Sequence, residues 1–457
     1  MTHSTPHAEK STRTISFTGG RSGAGALTWG QLDTWDIMEF LGDESHRVNV
    51  NFYEDVPEGV PTSVVLIALE RLLIQHDSLR TMFFTAPSGM PGQRVEGEGQ
   101  IAVDVYRTEQ VDAHAINAFN AKLAGRPFRP DDPQVRIALL EDGAGPRTLV
   151  ICLSHLLADG RAVEVLRRDL RVLLSSPDAA LAHPGVQPLE QLAFEESPRG
   201  RLLNQRSLNH WRDTLARFPD VMFPQLADNE SSPRFRAARY QSTAMRTAAD
   251  LLAHRYQVGV NSVAMAALSL VLASLAQSDR CAFHLISANR LRPGTEDSVG
   301  QFSHHVPVVV DVSHDSFGEL VLNTHKTLLL ACRYAMCSPI DANALIRQAN
   351  QHRGGVEPPR CVINPMLGQN AQPPLVTPEE LMEQSRSSRF SWDGGVDRER
   401  ISAYVQLGPR DQIVFFGDTR SFPPHAIRTA LESVERVLIS AVIEPNARPV
   451  VPDAAPA

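Results

Sequence analysis

The sequence has few of the features that define several protein classes. Its 457 residues include only five cysteines, none in a CxxC pair and none spaced with histidines as in a zinc finger. The longest apolar run, residues 263–276, is too short and too interrupted by serine to cross a bilayer. The polar N-terminus has no apolar segment of the kind found in signal peptides. We therefore expect a cytoplasmic protein that does not bind membranes.

Positive charge does not dominate either. The chain has 44 basic and 52 acidic residues, a formal net charge of −8, and only three of the basic residues are lysines. Broad neutralisation of nucleic-acid phosphates needs the opposite balance, so we predict no nucleic-acid partner. Hydrophobic residues make up 42% and charged residues 21%, as in ordinary folded proteins. This composition excludes a disordered chain or a coiled coil.

Helical and strand patterns alternate along the chain. Residues 28–41 have helical spacing of apolar positions with Thr28 as N-cap, residues 46–56 alternate as a strand, and a helix follows Pro61. The second half repeats this pattern, which predicts an α/β protein of two lobes. The predicted divisions are a flexible N-terminal tail (1–25), an N-terminal lobe (26–176), a linker rich in Pro and small residues (177–188), a C-terminal lobe (189–445) and a flexible C-terminal tail (446–457).

The strongest chemical signal is the segment from His155 to Gly160. The apolar run TLVICLSH predicts a buried strand that ends at His155, and a helical pattern begins just after Gly160. An imidazole at a strand end can act as a general base near neutral pH. Gly160 permits a tight turn into the helix. We expect Asp159 to hold this loop through an arginine or backbone donors instead of contacting substrate.

Other interpretations of the same residues remain open. His155 is equally consistent with a structural histidine, and Asp159 with an ordinary helix N-cap. A Ser-His-Asp hydrolase based on Ser154 is disfavoured, because the sequence has no GxSxG motif and adjacent strand residues point to opposite faces. The neighbouring His304 and His305 diverge on a predicted strand for the same reason. We therefore predict no metal site.

Further segments match one family in order. The residues that carry this similarity are LTWGQLDTW (27–35), QHDSLRTMF (75–83), GRPFRPDDPQVRIALL (125–140), SHLLADG (154–160) and the stretch from SANRLRP to SVGQFSHHVPV (287–308). Together they resemble the condensation-domain family of nonribosomal peptide synthetases. That family shares an HxxxD(G) motif with chloramphenicol acetyltransferase and the plant-type acyltransferases. The resemblance covers about residues 26–443 and depends on the order of the motifs.

The resemblance implies two chloramphenicol-acetyltransferase-like lobes in a V-shaped pseudo-dimer, with the active site at the joint. His155 takes the position of the second, catalytic histidine of HHxxxDG. Asp159 and Gly160 take structural positions, and Arg290 is the expected partner of Asp159 in a buried ion pair.

This sequence also departs from the family pattern. Ser154 stands where the first histidine of HHxxxDG is found, and SHH (303–305) replaces a VNT-like sequence. The residues predicted to contact substrate are Ser154, His304, His305, Asn364 and Trp392. For His304 and His305 the alternative is a partly exposed strand histidine, and for Trp392 it is a packing role.

The expected function is that of a free-standing condensation enzyme of natural-product biosynthesis. Such an enzyme transfers an acyl group from a carrier-protein thioester to an amine, or a hydroxyl, of a small molecule or a second carrier protein. No resident cofactor is expected, because the phosphopantetheine arm comes with the donor, and we expect a monomer. Two alternatives stay open: an acyl-coenzyme A transferase of the same superfamily, and a catalytically silent recruiting module suggested by Ser154. The joint presence of His155, Asp159 and Gly160 favours catalysis.

Overall fold

The computed structural model describes residues 8–130, 132–224, 232–351, 360–368, 375–409, 411–448 and 451. The chain forms two compact units, one of Met1–Asn204 with Ala288–His304 and the other of Gln205–Ser287 with His305–Ala457. Both combine helices with β-sheets, so the predicted α/β class is confirmed. The predicted linker at 177–188 lies inside the first unit, where Arg71 donates hydrogen bonds to the carbonyls of Pro177 and Ala179.

The first unit is built on a five-stranded sheet. Its strands are β1 (Glu9–Phe17), β3 (Val50–Asp55), β6 (Gly99–Arg107), β7 (Val135–Asp142) and β8 (Gly145–Leu153), in the order β1-β6-β7-β8-β3. Only the β6–β7 pair is parallel. A smaller sheet has the order β2-β5-β4, from β2 (Gly23–Ala26), β4 (Thr81–Thr85) and β5 (Pro91–Val95).

Helices cover both faces of the five-stranded sheet. The helices of this unit are α1 (Trp29–Leu41), α2 (Thr62–Gln75), α3 (Ala113–Ala124), α4 (Gly160–Ser175) and α5 (Pro188–Glu196), and α6 (Pro198–Leu215) continues into the second unit. Along β8, Leu149, Ile151 and Leu153 join the core under α2 and α4, while Val150 and Cys152 join the core under α3. A strand buried on both faces explains the continuous apolar run that leads to His155.

The second unit contains a seven-stranded sheet. Its strands are β9 (Phe235–Gln241), β10 (Arg280–Ser287), β11 (His304–Asp311), β12 (Arg360–Pro365), β13 (Arg389–Val396), β14 (Ile401–Gly408) and β15 (Gln412–Asp418), in the order β11-β10-β12-β14-β15-β9-β13. Its remaining helices are α7 (Thr243–Tyr256), α8 (Val260–Leu275), α9 (Phe317–Arg333), α10 (Pro339–Gln351), α11 (Pro378–Ser385) and α12 (Pro424–Ile443).

The predicted flexible tail over residues 1–25 is wrong for the part that the structure describes. Residues 9–17 form β1, which pairs antiparallel with β6 over its whole length. Only Ile15 and Phe17 are buried, and the first six residues of the strand are exposed. A polar edge strand of this kind has little apolar alternation, so its sequence is easily mistaken for a tail. The predicted C-terminal tail, 446–457, lies mostly outside the described residues.

None of the helices in the described ranges is, taken singly, long and apolar enough to span a membrane. By length and composition alone, α7 and α8 would pass together as a pair bent by 112°. Most of α8 is buried within the second unit.

Candidate active site

The turn between β8 and α4 presents His155. The strand ends at Leu153, and the Ser154 amide still donates to the carbonyl of Gln134 at 3.0 Å. The chain then turns back on itself, with the Leu157 amide 2.9 Å from the Ser154 carbonyl. Leu156 and Leu157 are buried, whereas His155 is half-buried. The turn therefore anchors its leucines in the core and leaves the imidazole accessible.

One hydrogen bond defines the protonation pattern of His155. Its Nδ1 lies 2.9 Å from the carbonyl oxygen of Ala158. A carbonyl oxygen only accepts, so Nδ1 carries the proton and donates it. In the neutral imidazole the lone pair is then on Nε2. Among the described residues Nε2 makes no hydrogen bond, which leaves it available to accept a proton from a bound molecule.

Asp159 is surrounded by donors. Arg290 binds its two carboxylate oxygens with both terminal nitrogens, at 2.7 and 2.8 Å. The amides of Phe302 and Ser303 and the Ser303 hydroxyl each lie 3.1 Å from Oδ2. The Ala162 amide lies 3.0 Å from Oδ1, so Asp159 is also the N-cap of α4. The expected contact between Asp159 and Arg290 is thus present, and it coexists with the N-cap role.

These contacts keep Asp159 ionised. Burial alone raises the pKa of a carboxyl group, and Asp159 is only 1% exposed. The charge of Arg290 and the hydrogen bonds outweigh burial, so the pKa of Asp159 is lowered from its ordinary value. Among the described residues, the Asp159 carboxylate makes no hydrogen bond with the His155 imidazole. Its role in the fold is to tie the start of α4 to residues 290–303.

The residue before Arg290 has an unusual backbone conformation. Asn289 has φ +52°, a left-handed conformation that asparagine tolerates better than most residues. The guanidinium lies 4.9 Å from the centre of the Phe302 ring and also donates to the carbonyls of Ala288 and Ser298. With its side chain 7% exposed, Arg290 is a fixed partner for Asp159.

Ser303 and the amide of Phe302 are contacts that the sequence analysis missed. Backbone amides leave no signal in a sequence, and Ser303 drew attention only as part of the SHH departure. The carbonyl of Gly300, which accepts from the Asp159 amide at 3.2 Å, was missed for the same reason. The similarity of SVGQFSHH to a family segment was the only available pointer to this loop.

Ser154 and Gly160 flank the turn. The Ser154 side chain is fully buried, and its Oγ lies 3.4 Å from the Leu156 amide, which donates to it. Gly160 is exposed and is the first residue of α4. Both positions are structural parts of the turn that carries His155.

The two neighbouring histidines differ in burial. His304, the first residue of β11, is 4% exposed, and His305 is half-buried. Consecutive strand residues face opposite sides, as expected from the sequence. Among the described residues, no group of three or more His, Cys, Asp or Glu side chains is placed to hold a metal ion.

Asn364 and Trp392 belong to the second unit. Asn364, on β12, donates from Nδ2 to the hydroxyl oxygen of Tyr404 at 3.0 Å. Trp392 lies on the edge strand β13, where its ring is 5.1 Å from that of Phe390 and 4.0 Å from the guanidinium of Arg236. Trp392 therefore has the packing contacts that were expected as the alternative to a substrate contact.

Comparison with known proteins adds four findings. The chain is 23% identical over 408 residues to the hybrid PKS-NRPS synthetase lepA of Aspergillus flavus, covering 86% of this chain and 10% of that protein's length. It resembles in structure the condensation domain of the monacolin K polyketide synthase MokA, with a TM-score of 0.71, 16% identity and coverage of 93% of this chain and 98% of that one.

The third finding is a similar structure that was solved with a ligand. It is a mutant of the starter condensation domain of the rhizomide synthetase RzmA in complex with C8-CoA, with a TM-score of 0.68, 14% identity and coverage of 95% of this chain and 97% of that one. At such low identities these structures establish the fold alone. The family model named Condensation domain matches residues 26–391, which include the whole turn from Ser154 to Gly160. The chain therefore belongs to the condensation-domain family.

Proposed function

We propose that this chain catalyses a condensation step of natural-product biosynthesis. In this proposal it transfers an acyl group from a carrier-protein thioester to an amine, or less favourably to a hydroxyl, and so forms an amide or an ester. The observation that carries the proposal is the hydrogen bond from His155 Nδ1 to the Ala158 carbonyl, at 2.9 Å. It leaves Nε2 of an accessible imidazole as a proton acceptor.

The proposed step forms an amide or ester bond and breaks the C–S bond of the thioester. The nucleophile nitrogen, or oxygen, attacks the thioester carbonyl carbon while His155 Nε2 removes its proton. The tetrahedral intermediate collapses with cleavage of the C–S bond, and the thiolate takes the proton back from Nε2. During the cycle the imidazolium keeps its Nδ1 hydrogen bond to Ala158, which stabilises the charged form.

Membership of the family supports a proposal for the donor and the acceptor. Its members work on substrates bound to carrier proteins, so we propose an acyl or peptidyl carrier protein as the donor partner. Its phosphopantetheine arm supplies the thiol, and we propose no resident cofactor. The acceptor is a small amine or alcohol, or a second carrier protein, and we propose that the chain acts as a monomer in the cytoplasm.

A second candidate is an acyl-coenzyme A transferase. It is favoured by the similar RzmA structure, which holds C8-CoA. Both candidates use a thioester and the same proton acceptor, and they differ only in what carries the acyl group. A silent recruiting module is disfavoured, because such a module has no need of an accessible imidazole together with a fixed Asp159.

The experiment is thiol release from acyl-pantetheine and acyl-coenzyme A thioesters, each tested with and without a panel of amines and alcohols. Release that depends on the nucleophile supports acyl transfer and identifies both substrates. If no free thioester reacts, the panel is repeated with acylated carrier proteins. Release from carriers alone supports the first candidate, and release from coenzyme A at an equal rate supports the second. Silence with every donor contradicts both.

A further inference from the structure

Two side chains from earlier parts of the chain donate hydrogen bonds to the backbone of the turn that carries His155. The carbonyl oxygen of Leu157 accepts a hydrogen bond from the Ser78 hydroxyl at 2.5 Å. The carbonyl of the preceding Leu156 lies 3.4 Å from Nε2 of Gln31, which donates to it. The next carbonyl, of Ala158, is the one that binds His155. Three successive carbonyls of the turn thus have a side-chain donor each.

Ser78 is placed rigidly. It is fully buried in the short helical turn Asp77–Arg80, and its neighbours are fixed in turn. Arg80 forms a buried ion pair with Asp77 at 2.6 Å and donates to the carbonyl of Leu73. The Asp77 amide donates to the side chain of Gln187 at 2.8 Å. These contacts hold the backbone on both sides of Ser78 in place, and the Ser78 hydroxyl donates to the Leu157 carbonyl from this position.

Gln31 is fixed as well. It forms a capping box with Thr28 at the start of α1 and donates to Gln93, which is fully buried, at 3.1 Å. Gln31 belongs to the first motif that resembles the family and Ser78 to the second. These two motifs therefore contact the fourth, SHLLADG, and the contact is made through the backbone of the His155 turn.

We infer that Ser78 is a positioning residue for His155. This inference rests on the proposed function. Ser78 does not contact the imidazole. It fixes the Leu157 carbonyl, and because Leu157 precedes Ala158, it fixes the acceptor that keeps the proton of His155 on Nδ1. Without Ser78 the turn loses a buried donor, the distance from Nδ1 to the Ala158 carbonyl varies, and Nε2 carries the proton for part of the time.

The test compares Ser78→Ala with Thr81→Val in the full chain. Thr81 is a matched control, since its buried hydroxyl donates to the carbonyl of Asp77 at 2.9 Å in the same segment but does not contact the turn. The first readout is the ¹⁵N spectrum of the histidine side chains, with the His155 signals assigned by their loss in His155→Gln. We expect the Nδ1–H form of His155 in the wild type and in Thr81→Val, and a mixture of both forms in Ser78→Ala.

The second readout is the split between kcat and KM in the thiol-release assay. We expect kcat of Ser78→Ala to fall by about 10- to 100-fold with KM little changed, because a misplaced base slows the chemical step. An unchanged His155 spectrum in Ser78→Ala overturns the inference, as does an equal change in Thr81→Val. If Ser78→Ala does not fold, the same spectrum is recorded for Ser78→Cys, which keeps the bulk of the side chain and weakens the donor. The inference is then judged by the His155 signals of that variant. If no thioester reacts at all, the proposed function fails while the spectrum still tests the inference.

Discussion

His155 and Asp159 are four residues apart and have opposite surroundings. Every donor around Asp159 points at its carboxylate, which is buried and ionised. The imidazole of His155 has one of its two nitrogens occupied and the other available. A carboxylate whose oxygens are all engaged by donors is a poor proton acceptor, so we propose the histidine as the reactive member of the HxxxDG motif.

Removal of the Asp159 carboxylate should damage stability. Asp159→Ala leaves Arg290 buried without its charged partner and deprives three backbone amides and the Ser303 hydroxyl of their acceptor. We expect the free energy of unfolding to fall by about 3–5 kcal/mol in urea denaturation. The control is Glu383→Ala, which breaks an exposed pair with Arg386 and should cause no measurable loss. An Asp159→Ala variant as stable as the wild type would contradict the structural role.

The contribution of the Asp159 carboxylate to the free energy of unfolding depends on pH. Its pKa is lower in the folded protein than in the unfolded chain, so the stability that it adds is present at neutral pH. That stability is lost as the pH falls below about 4, the ordinary range of an aspartate pKa. The difference in unfolding free energy between wild type and Asp159→Asn should therefore shrink on acidification.

At the scale of elements, the N-terminus of α1 lies very close to the loop that binds Asp159. A Cβ atom added to Gly30 would lie 2.3 Å from the carbonyl oxygen of Gln301. Gly30→Ala should therefore lower the free energy of unfolding by about 1–3 kcal/mol, measured in urea. Gly143→Ala is the control, since nothing lies within 4 Å of its added Cβ. Equal stability of the two variants would show that this loop moves away freely.

Helix α5 contacts α1 through Glu195. Its carboxyl oxygens accept from the Trp29 amide at 2.9 Å and from Gln191 at 2.8 Å. Burial raises the pKa of Glu195 to about 8, although these bonds and the charge of Arg292 oppose the shift. Between the ordinary glutamate pKa of about 4.3 and pH 8 the folded protein holds a proton that the unfolded chain has lost. The stability contributed by Glu195 therefore falls as the pH rises through this range.

Glu195→Gln tests this account, because an amide cannot titrate. We expect the variant to gain stability relative to the wild type as the pH rises from about 4.5 to 8, with no further change above. The measurement is urea denaturation across this range, with Glu383→Gln as an exposed control. A constant difference between wild type and Glu195→Gln would contradict the raised pKa.

Elements with strong apolar patterns could be predicted from the sequence. The helical spacing after Thr28 corresponds to α1, with Thr28 as the N-cap in a capping box, and the run before His155 corresponds to β8. The strands β1 and β13 were not predicted. Both lie at sheet edges and carry mostly exposed residues, so their pairing depends on partners far along the chain and not on local periodicity.

For the whole molecule, the chain passes from one unit to the other at positions where the local composition does not indicate a domain boundary. The crossing after Asn204 lies within the continuous helix α6, and residues 288–304 belong to the first unit although they follow a strand of the second. The Pro-rich segment at 177–188 is instead part of the first unit, where Arg71 and Gln75 donate hydrogen bonds to its carbonyls. Proline and small residues predicted a linker because that inference uses local composition only.

The candidate site also depends on residues 288–304, which are distant in sequence but belong to the first unit. Arg290 and Asp159 are 131 residues apart in sequence. No local pattern connects them, and their pairing was expected only from the order of family motifs. The positions of Asn364 and Trp392 likewise follow from the fold of the second unit, where each has packing partners that the sequence does not reveal.

We propose that His155 is the proton acceptor of an acyl transfer. The most direct measurement is the single-turnover rate with a reactive thioester and nucleophile for wild type, His155→Ala and His46→Ala. His46 is a matched control, since it is half-buried and its Nδ1 also lies near a backbone carbonyl, that of Asp43 at 3.2 Å. We expect the rate to fall by about 10²- to 10⁴-fold for His155→Ala with an unchanged melting temperature, and not to change for His46→Ala. A wild-type rate in His155→Ala would contradict the proposal.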